Sequence, residues 1–303
     1  MMNSRKLAPV LGALFAASLA ATAPAGVLAA TRNIDQHQAA DPKGTVEIVN
    51  VAGSVQVSGW DKPEVSVTGQ IGDRVERVDL TSSGNRTTLR VILPSGSNWG
   101  GDGSARLVVH VPIASGLEVS QVSADLEVSG VSGAQQIRTV SGSIQCAGGA
   151  QTRVNTVSGD VHVTTANESP AEIESVSGDV TVDGAGNDVS VQTVSGEGQL
   201  TLGTVSKFRL RTVSGDFVVT ARLAPAANFD GDSVSGDLNI GLKDNPGAEY
   251  DLQSLSGDIG SCNGHEAEHS KYGPGSRLTF TVGDGKARVH MSSKSGALSL
   301  CAK

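Results

Sequence analysis

The stretch "NTVSGDVHV" at Asn155–Val163 is followed 19 residues later by "ESVSGDVTV" at Glu174–Val182. The same phrase recurs along most of the chain, and we number each copy from the Val of "VSG" as position 0. Position 0 holds Val51, Val122, Val140, Val157, Val176, Val194, Val213, Val234, Leu255 and Lys294. From Val122 to Leu255 the steps are 17 to 21 residues, whereas the last step is 39. A period of this size is typical of stacked repeat proteins.

Within each copy, apolar residues recur two positions apart. Val161 and Val163 stand at +4 and +6, and Val154 stands at −3. Alternation of this kind predicts half-buried β-strands. Because −3 and +4 differ by an odd number, a corner must separate the two strands. The Gly at +2 marks it, since Gly tolerates backbone angles that other residues resist.

These units predict an all-β fold, a parallel β-solenoid (β-helix) with coils of about 17–21 residues. Each strand would pair with the same strand of the next coil, about 4.8 Å away, so ten coils from Val122 onward would rise roughly 43 Å. Like residues would then form ladders: an apolar core, and hydroxyl ladders at −1 and +1. An antiparallel sandwich would explain the strand spacing, but not why every second strand repeats the same residues.

Residues 1–30 are typical of a signal peptide. Arg5 and Lys6 precede the uncharged run Leu7–Ala21, and small residues follow that suit cleavage after Ala29 or Ala30. An uncleaved anchor is the alternative. We expect an exported protein, in the periplasm or at the cell surface, with no transmembrane segment after cleavage.

Three further segments follow the predicted signal peptide. Residues 31–44 are polar and lack periodicity, which predicts a flexible lead-in. Residues 45–116 are strand-rich but less regular, and we expect them to open and cap the solenoid, since an uncovered end strand invites aggregation. Residues 117–303 form the repeat solenoid.

The net charge of the chain limits the classes of partner that it can bind. The formal net charge is −8 and becomes −10 if residues 1–30, with Arg5 and Lys6, are removed. An acidic surface repels the phosphates of nucleic acid, so we expect no nucleic-acid partner. Aromatic residues are 3% of the chain, so stacking surfaces for sugars or bases are scarce.

Three stretches together carry a family resemblance: "VEIVNVAGSVQVSGWDKPEV" (Val46–Val65), the serial "TVSGDV" units, and "VGDGKARV" (Val282–Val289). They resemble the toast-rack (putative-adhesin) family of bacterial envelope proteins over nearly all the chain after Gly44. The resemblance implies a β-solenoid that is exported or membrane-attached and whose function is largely unassigned, with adhesion or envelope-stress sensing as the usual suggestions. It implies no catalytic residues.

The sharpest chemical motif is "HEAEH", His265 to His269, which fits the H-E-x-x-H pattern of zinc metalloproteases. Those enzymes place both histidines on one face of a helix. Gly264 precedes the motif and "KYGPG" follows at once, so a helix of several turns has no room. We expect a polar loop between coils, with a surface metal site at His265 and His269 as the alternative.

Position +3 is acidic at most sites, and the acidic residues are Asp125, Asp160, Asp179, Glu197, Asp216, Asp237 and Asp258. Stacked carboxylates about 4.8 Å apart repel by roughly 0.9 kcal/mol per pair in water. We expect each Asp to accept a backbone N–H in its own corner. The alternative is a row of bound Ca²⁺ at Asp160, Asp179, Asp216, Asp237 and Asp258, since oxygen ligands suit that ion.

The positions of the three cysteines within the repeat predict which are free and which are paired. Cys146 stands at +6 beside Val163 and Val182, which predicts a buried free thiol. Cys262 and Cys301 both stand at +7, and an exported protein meets oxidising conditions, which predicts a disulfide between them. The 39-residue step opposes this pairing, because a whole intervening coil would hold the sulfurs too far apart.

The pattern favours a non-enzymatic exported envelope protein that presents a β-solenoid surface, with an adhesin-like, sensing or assembly role. We expect no catalytic residues and no cofactor, because a residue repeated in every coil supports the coil, and an unknown protein or glycan as partner. One alternative is a polysaccharide-active β-helix enzyme, which would need a singular cluster of acidic and basic residues. The other is a metal-binding envelope module.

Overall fold

The computed structural model describes residues 31–94, 101–166, 168–244, 247–271 and 274–302. The predicted signal peptide, residues 1–30, lies outside the described residues. The described part contains strands and no helix. In chain order the strands are β1 (Arg32–Ala39), β2 (Thr45–Trp60), β3 (Glu64–Ile71), β4 (Arg77–Ser83), β5 (Arg86–Ile92), β6 (Ala105–Pro112), β7 (Gly116–Val131), β8 (Gln135–Ser141), β9 (Ile144–Gly148), β10 (Thr152–Ser158), β11 (Val161–Thr164) and β12 (Ala171–Ser177). They continue with β13 (Val180–Asp183), β14 (Asn187–Ser195), β15 (Gly198–Ser214), β16 (Phe217–Ser235), β17 (Leu238–Lys243), β18 (Gly247–Ser254), β19 (Ile259–Ser261), β20 (Glu268–His269), β21 (Ser276–Gly283), β22 (Ala287–Ser293) and β23 (Leu298–Ala302).

The central strands stack in parallel and in register. Val154 of β10 lies between Ile137 of β8 and Ile173 of β12. After the corner, Val161 of β11 lies between Ile144 of β9 and Val180 of β13. All six side chains are buried, and together with the equivalent residues of other coils they form one continuous core. The predicted all-β parallel solenoid is confirmed.

The corner glycines are required by close contact between coils. Gly159 has φ 123°, and a Cβ built on it would lie 2.2 Å from the carbonyl oxygen of Gly142 in the preceding coil. Gly178 has φ 116°, and its Cβ would lie 2.4 Å from the oxygen of Gly159. A side chain would therefore meet backbone in a conformation that favours glycine, so the +2 column permits the coils to stack at strand spacing.

One break in the core column is filled by the next coil. Position +4 is Gly198 instead of an apolar side chain, and a Cβ there would lie 1.9 Å from Cε1 of Phe217. Phe217, the +4 residue of the following coil, is fully buried. The larger ring therefore occupies the space that a second aliphatic side chain would otherwise fill.

The N-terminal end of the stack closes with antiparallel strands. β2 lies in parallel between β7 on one side and β5 and β6 on the other. Beyond them, β3 runs antiparallel to β6, and β4 runs antiparallel to β5. The segment between residues 45 and 116 thus forms this end of the solenoid.

The predicted flexible lead-in at residues 31–44 is wrong over β1. This strand pairs antiparallel with β3 from Arg32 opposite Ile71 to Ala39 opposite Glu64. Ile34 and Gln36 are half-buried on one face, and Gln36 donates from Nε2 to the carbonyl of Val78 at 3.0 Å. An edge strand needs backbone partners more than apolar side chains, so its polar sequence carried little periodic signal.

The C-terminal coils do not stack in chain order. β22 lies in parallel between β16 and β18, and β23 lies between β17 and β19. The unit of Lys294 is therefore inserted between those of Val234 and Leu255. The expectation that the 39-residue step covers two regular coils is wrong, because β20 and β21 leave the stack and β21 runs antiparallel along β18.

Candidate functional site

The valine that begins each repeat lies outside the core. Val157 is 48% exposed, and Val176 and Val194 are each 47% exposed, although their neighbours at −1 are buried. The exposed set at position 0 comprises Val122, Val140, Val157, Val176, Val194, Val213, Val234 and Leu255. Because the coils stack in register, these side chains form one apolar row along a single corner of the solenoid, which we call the valine row.

The valine row was missed at the level of sequence, although a signal for it exists. Position 0 is an odd number of residues from the buried position −3, so it must point outward before the corner turns the chain. The row has one charged member in the stack that begins at Val122. Lys294 donates its backbone N–H to Ser233, and Leu255 donates to Ser293, which places Lys294 between Val234 and Leu255.

The two hydroxyl columns act differently, which corrects the expectation of two ladders. At +1, Ser195 donates to the carbonyl of Val176 in the preceding coil at 3.3 Å. At −1, Thr156 donates to the carbonyl of Ser158 in its own coil at 3.3 Å. The +1 column thus links coils, whereas the −1 hydroxyls of four central coils brace their own corners, those of Thr139, Thr156, Ser175 and Thr193.

The acidic column also links coils, and the expectation of a hydrogen bond within the same corner is wrong. Oδ1 of Asp160 accepts the backbone N–H of Asp179 at 3.0 Å, and Oδ1 of Asp179 accepts that of Glu197 at 3.0 Å. The pattern continues from Asp216 to the N–H of Asp237 and from Asp237 to that of Ala297, both at 2.8 Å. Each carboxylate therefore offsets charge repulsion by binding the next coil.

The histidine motif does not form a helix. His265 lies in a loop and stacks on Phe280 with ring centroids 3.9 Å apart. His269 belongs to β20, where Nδ1 lies 2.9 Å from the hydroxyl of Ser276. Within the described ranges, no group of three or more His, Cys, Asp or Glu side chains is arranged to hold a metal ion. That statement covers the acidic column, Asp258 included.

A cleft of about 750 Å³ lies where the valine row reaches the C-terminal end. Its floor is formed by positions −2 to 0 of the last coils, including Arg211, Val234, Lys294 and Leu255. Its wall is the arm of β20 and β21, which contributes residues around Arg277. A cleft of this size is ordinary for a ligand site, and it arises only because β21 folds back beyond the end of the stack.

The cleft is lined by three cationic side chains and two carboxylates. Arg277 is held by Asp251, with Nε to Oδ1 at 3.0 Å and Nη2 to Oδ2 at 3.1 Å. Nε of Arg211 lies 3.9 Å from Oδ2 of Asp232. Among the described residues, Lys294 forms no ion pair. The ammonium of Lys294 is thus available in an otherwise acidic protein.

The reordered coils bring Cys262 and Cys301 together. β19 and β23 are direct neighbours, with Ser261 opposite Leu300, so the two +7 positions are adjacent. The two residues form a disulfide with Cα atoms 4.9 Å apart. The obstacle posed by the 39-residue step disappears, because no coil lies between these two strands.

Cys146 is a free, buried thiol, 2% exposed, that lies opposite Val163. Its Sγ donates to Oε1 of Gln135 at 3.1 Å. Burial, which disfavours the thiolate, raises the pKa of Cys146 to about 12. The thiol is therefore protonated and unreactive at neutral pH.

These features define a parallel β-solenoid repeat protein with one apolar corner and one terminal cleft. A family model described as Toastrack DUF4097 matches residues 33–300, and the chain belongs to this family. The match confirms the toast-rack resemblance. No curated protein matches the chain. In the part of the chain that the structure describes, no helix is long and apolar enough to cross a membrane.

Two of the solved structures that are similar to this chain illustrate the likeness. One is a putative cell adhesion protein from Clostridium sporogenes ATCC 15579, with 10% identity, 90% of this chain and 100% of that chain covered, and a TM-score of 0.24. The other is a putative lipid binding protein from Parabacteroides distasonis ATCC 8503, with 10% identity, 88% and 96% covered, and a TM-score of 0.30. With TM-scores this low, neither likeness bears on the role of this chain.

Proposed function

We propose that this chain is a non-enzymatic, exported envelope protein that uses its solenoid as an assembly surface, with a second copy of itself as the partner. The valine row is the observation that carries the proposal. Seven half-exposed valines, from Val122 to Val234, follow one another without interruption and form a patch on the order of a few hundred Å², the size of the largest patch on a typical monomer, which is often functional. Such patches mark interaction surfaces.

The period of the row favours a partner with the same period. The side chains of the valine row recur about every 4.8 Å, the spacing between strands of a sheet. An extended peptide advances about 6.6 Å for every second residue, so its side chains would fall out of step. A second solenoid stays in step along the whole row, and two such rows can interdigitate.

The area of a stable interface and the charges beside the valine row indicate how two copies would pack. A stable interface buries about 800 Å² on each partner, so the rows at +1 and −2 beside the valines must take part. If the two solenoids ran antiparallel, the acidic rows would face each other and repel. If they run parallel about a twofold axis along the solenoid, the +3 row faces the −2 row. The −2 row carries mixed charges, so Asp216 lies near the partner's Arg211 although Asp179 lies near the partner's Glu174, and the repulsion is smaller than between two acidic rows.

Repetition supports a non-catalytic role. The serines and aspartates of the corners recur from coil to coil, and their hydrogen bonds join one coil to the next. A nucleophile or general acid would need a partner that other coils lack. Incubation of the purified protein with a panel of envelope glycans should release no product.

Mass spectrometry of the secreted form should find cleavage after Ala29 or Ala30.

Sedimentation velocity over a wide concentration range tests the assembly. We expect wild type to dimerise and the triple variant Val157→Lys/Val176→Lys/Val194→Lys to stay monomeric, because charges would be buried in the contact. The matched control places lysines on an outward face of the same coils, as His162→Lys/Thr181→Lys/Gln199→Lys, and should dimerise. A wild type that is monomeric throughout, or a control that is as monomeric as the triple variant, would overturn the proposal.

A further inference from the structure

We propose that the C-terminal cleft binds a small anionic amphiphile, with an anionic head held by Lys294 and Arg211 and an aliphatic chain against Val234 and Leu255. This site shares Val234 and Leu255 with the C-terminal end of the valine row, whereas the residues that test the assembly, Val157, Val176 and Val194, lie two to four coils before Val234.

Lys294 is the exception to an aliphatic column. In the stack from Val122 onward every other position 0 is aliphatic, and only this position is charged. A lysine between two aliphatic neighbours adds nothing to the packing of the corner, since the valines elsewhere perform that role. The exception falls in the one coil that is inserted out of chain order and lines the cleft. The cleft, and not the solenoid, therefore explains the residue.

The charges of the cleft favour an anion at Lys294. Two of the three cations that line it are balanced by aspartates, Arg277 by Asp251 at 3.0 Å and Arg211 by Asp232 at 3.9 Å. Among the described residues, no carboxylate forms an ion pair with Lys294, which lines the cleft. An ammonium without a paired carboxylate attracts anions and repels cations, so Lys294 is the first contact for an anionic head.

Apolar side chains flank the charge of Lys294 on both sides. Val234 and Leu255 are 40% and 54% exposed and lie in the coils directly before and after Lys294. Each is therefore about 4.8 Å from the lysine along the row. An inorganic anion would leave both side chains in water. An aliphatic chain would cover them while its head stays at Lys294, and a cleft of about 750 Å³ has room for both parts.

Calorimetric titration of the full mature chain with four probes tests both parts of the ligand. Decanoate, below its micellar concentration, carries head and chain; decanol lacks the charge, inorganic phosphate lacks the chain, and decyltrimethylammonium reverses the charge. We expect decanoate to bind at least about tenfold more tightly than the other three, since one charged contact is worth that factor. Decyl phosphate in a further titration distinguishes a preference for phosphate from one for carboxylate.

Lys294→Val is the decisive variant, because it restores the residue that other coils use and should fold as wild type does. We expect it to bind decanoate about tenfold more weakly with an unchanged melting temperature. Thr181→Lys, which adds a lysine outside both the cleft and the valine row, should leave decanoate binding unchanged. In wild type, decanoate should also slow acetylation of Lys294, read by mass spectrometry, more than that of Lys243.

Several outcomes would overturn the site. These are equal decanoate affinity in Lys294→Val and wild type, tighter binding of decyltrimethylammonium than of decanoate, or no protection of Lys294 from acetylation. Each leaves the proposed dimer untouched, because sedimentation of the lysine variants at Val157, Val176 and Val194 reports on that contact alone. A dimer that fails to form would likewise leave the cleft measurements valid.

Discussion

The central coils and the C-terminal end of the solenoid are built from the same repeat but are held together differently. Between β8 and β13, chain order and stacking order agree, and each coil repeats the hydrogen bonds of the one before. At the C-terminal end, β22 and β23 are inserted between units that precede them in the chain, and a disulfide joins β19 to β23.

The difference suggests that the central coils stabilise the molecule, whereas the C-terminal end carries the features that could recognise a ligand. In the centre, any residue that departs from the repeat must fit against two similar neighbours, so the sequence stays uniform. At the end, β21 faces a coil on one side only, and the arm that it forms with β20 can shape a cleft. Residues that depart from the repeat and could bind a ligand are therefore expected at the end of the stack, which is where Lys294 and the cleft occur.

The largest expected effect is at a central corner. Gly159→Val should destabilise the protein by at least about 3 kcal/mol, because the side chain would meet backbone at a positive φ. The matched change at the end is Gly260→Val, where a Cβ meets no atom within 4 Å, and it should cost less than about 0.5 kcal/mol. Urea unfolding measures both. Equal losses would show that the centre is no more tightly constrained than the end.

Loss of the disulfide should be the next largest effect and should stay local. Cys262→Ser/Cys301→Ser removes the link between β19 and β23 and should cost about 3 kcal/mol. Hydrogen exchange should show faster exchange in β18, β19, β22 and β23, with β10 to β13 unchanged. Loss of protection throughout the chain would mean that centre and end unfold as one unit. Cys146→Ser, which leaves the disulfide intact, is the control.

The pair Gly198 and Phe217 tests whether the centre tolerates an irregularity only when a neighbour compensates. Gly198→Val should cost about 2 kcal/mol, since its Cβ would lie 1.9 Å from the Phe217 ring. Phe217→Val alone leaves a cavity and should cost a similar amount. The double variant restores the ordinary repeat and should recover most of both losses in a thermal unfolding cycle. Additive losses would contradict direct packing between the two.

Cys146 predicts a pH dependence that belongs to the central core. The pKa of this thiol is raised from 9.0 to about 12, so the folded state holds the proton more tightly than the unfolded state. This contribution to stability is complete below pH 9 and falls as pH rises towards 12, by about 1.4 kcal/mol per pH unit. Cys146→Ser, which keeps a donor for Gln135, should unfold with a shallower alkaline dependence. Identical slopes would refute the assignment.

The smallest expected effect concerns the acidic column. Asp179→Ala removes the acceptor for the N–H of Glu197 and should cost about 1 kcal/mol, whereas Asp179→Asn keeps an acceptor and relieves repulsion. Urea unfolding should therefore place Asn at or above wild type, and added salt should narrow the gap by screening the row. If Asn is as unstable as Ala, the charge itself matters and the hydrogen bond does not explain the column.

Much of the central architecture could be predicted, and the errors have identifiable causes. The alternation at +4 and +6 and the glycine at +2 specified strands, corner and stacking. The prediction of a flexible lead-in is wrong over β1 because the partners of this strand are backbone groups of β3, which leave no mark on composition. The acceptor role of each Asp was placed in the wrong coil, because one spacing fits a contact within a corner and a contact with the next corner.

The candidate site also has one part that the sequence can predict, the valine row, and one part that it cannot, the cleft. The outward direction of the valine row follows from counting residues between position 0 and the buried position −3. The cleft does not, because its floor comes from three coils and its wall from an arm far along the chain. The 39-residue step signalled that something unusual occurs there, without showing where the chain goes.

By itself, the sequence determined everything that depends on distances of a few residues: the two strands of each coil, the glycine corner and the side chains that face inward. Only the tertiary structure decided which coils are neighbours at the C-terminal end, and with that the surroundings of Lys294. It also showed how Cys262 and Cys301, whose shared +7 position predicts the disulfide, come within reach across the 39-residue step. The physical reason is that like coils present nearly the same surface to one another. Local patterns therefore make several stacking orders almost equal in energy, and the path of β20 and β21 selects one.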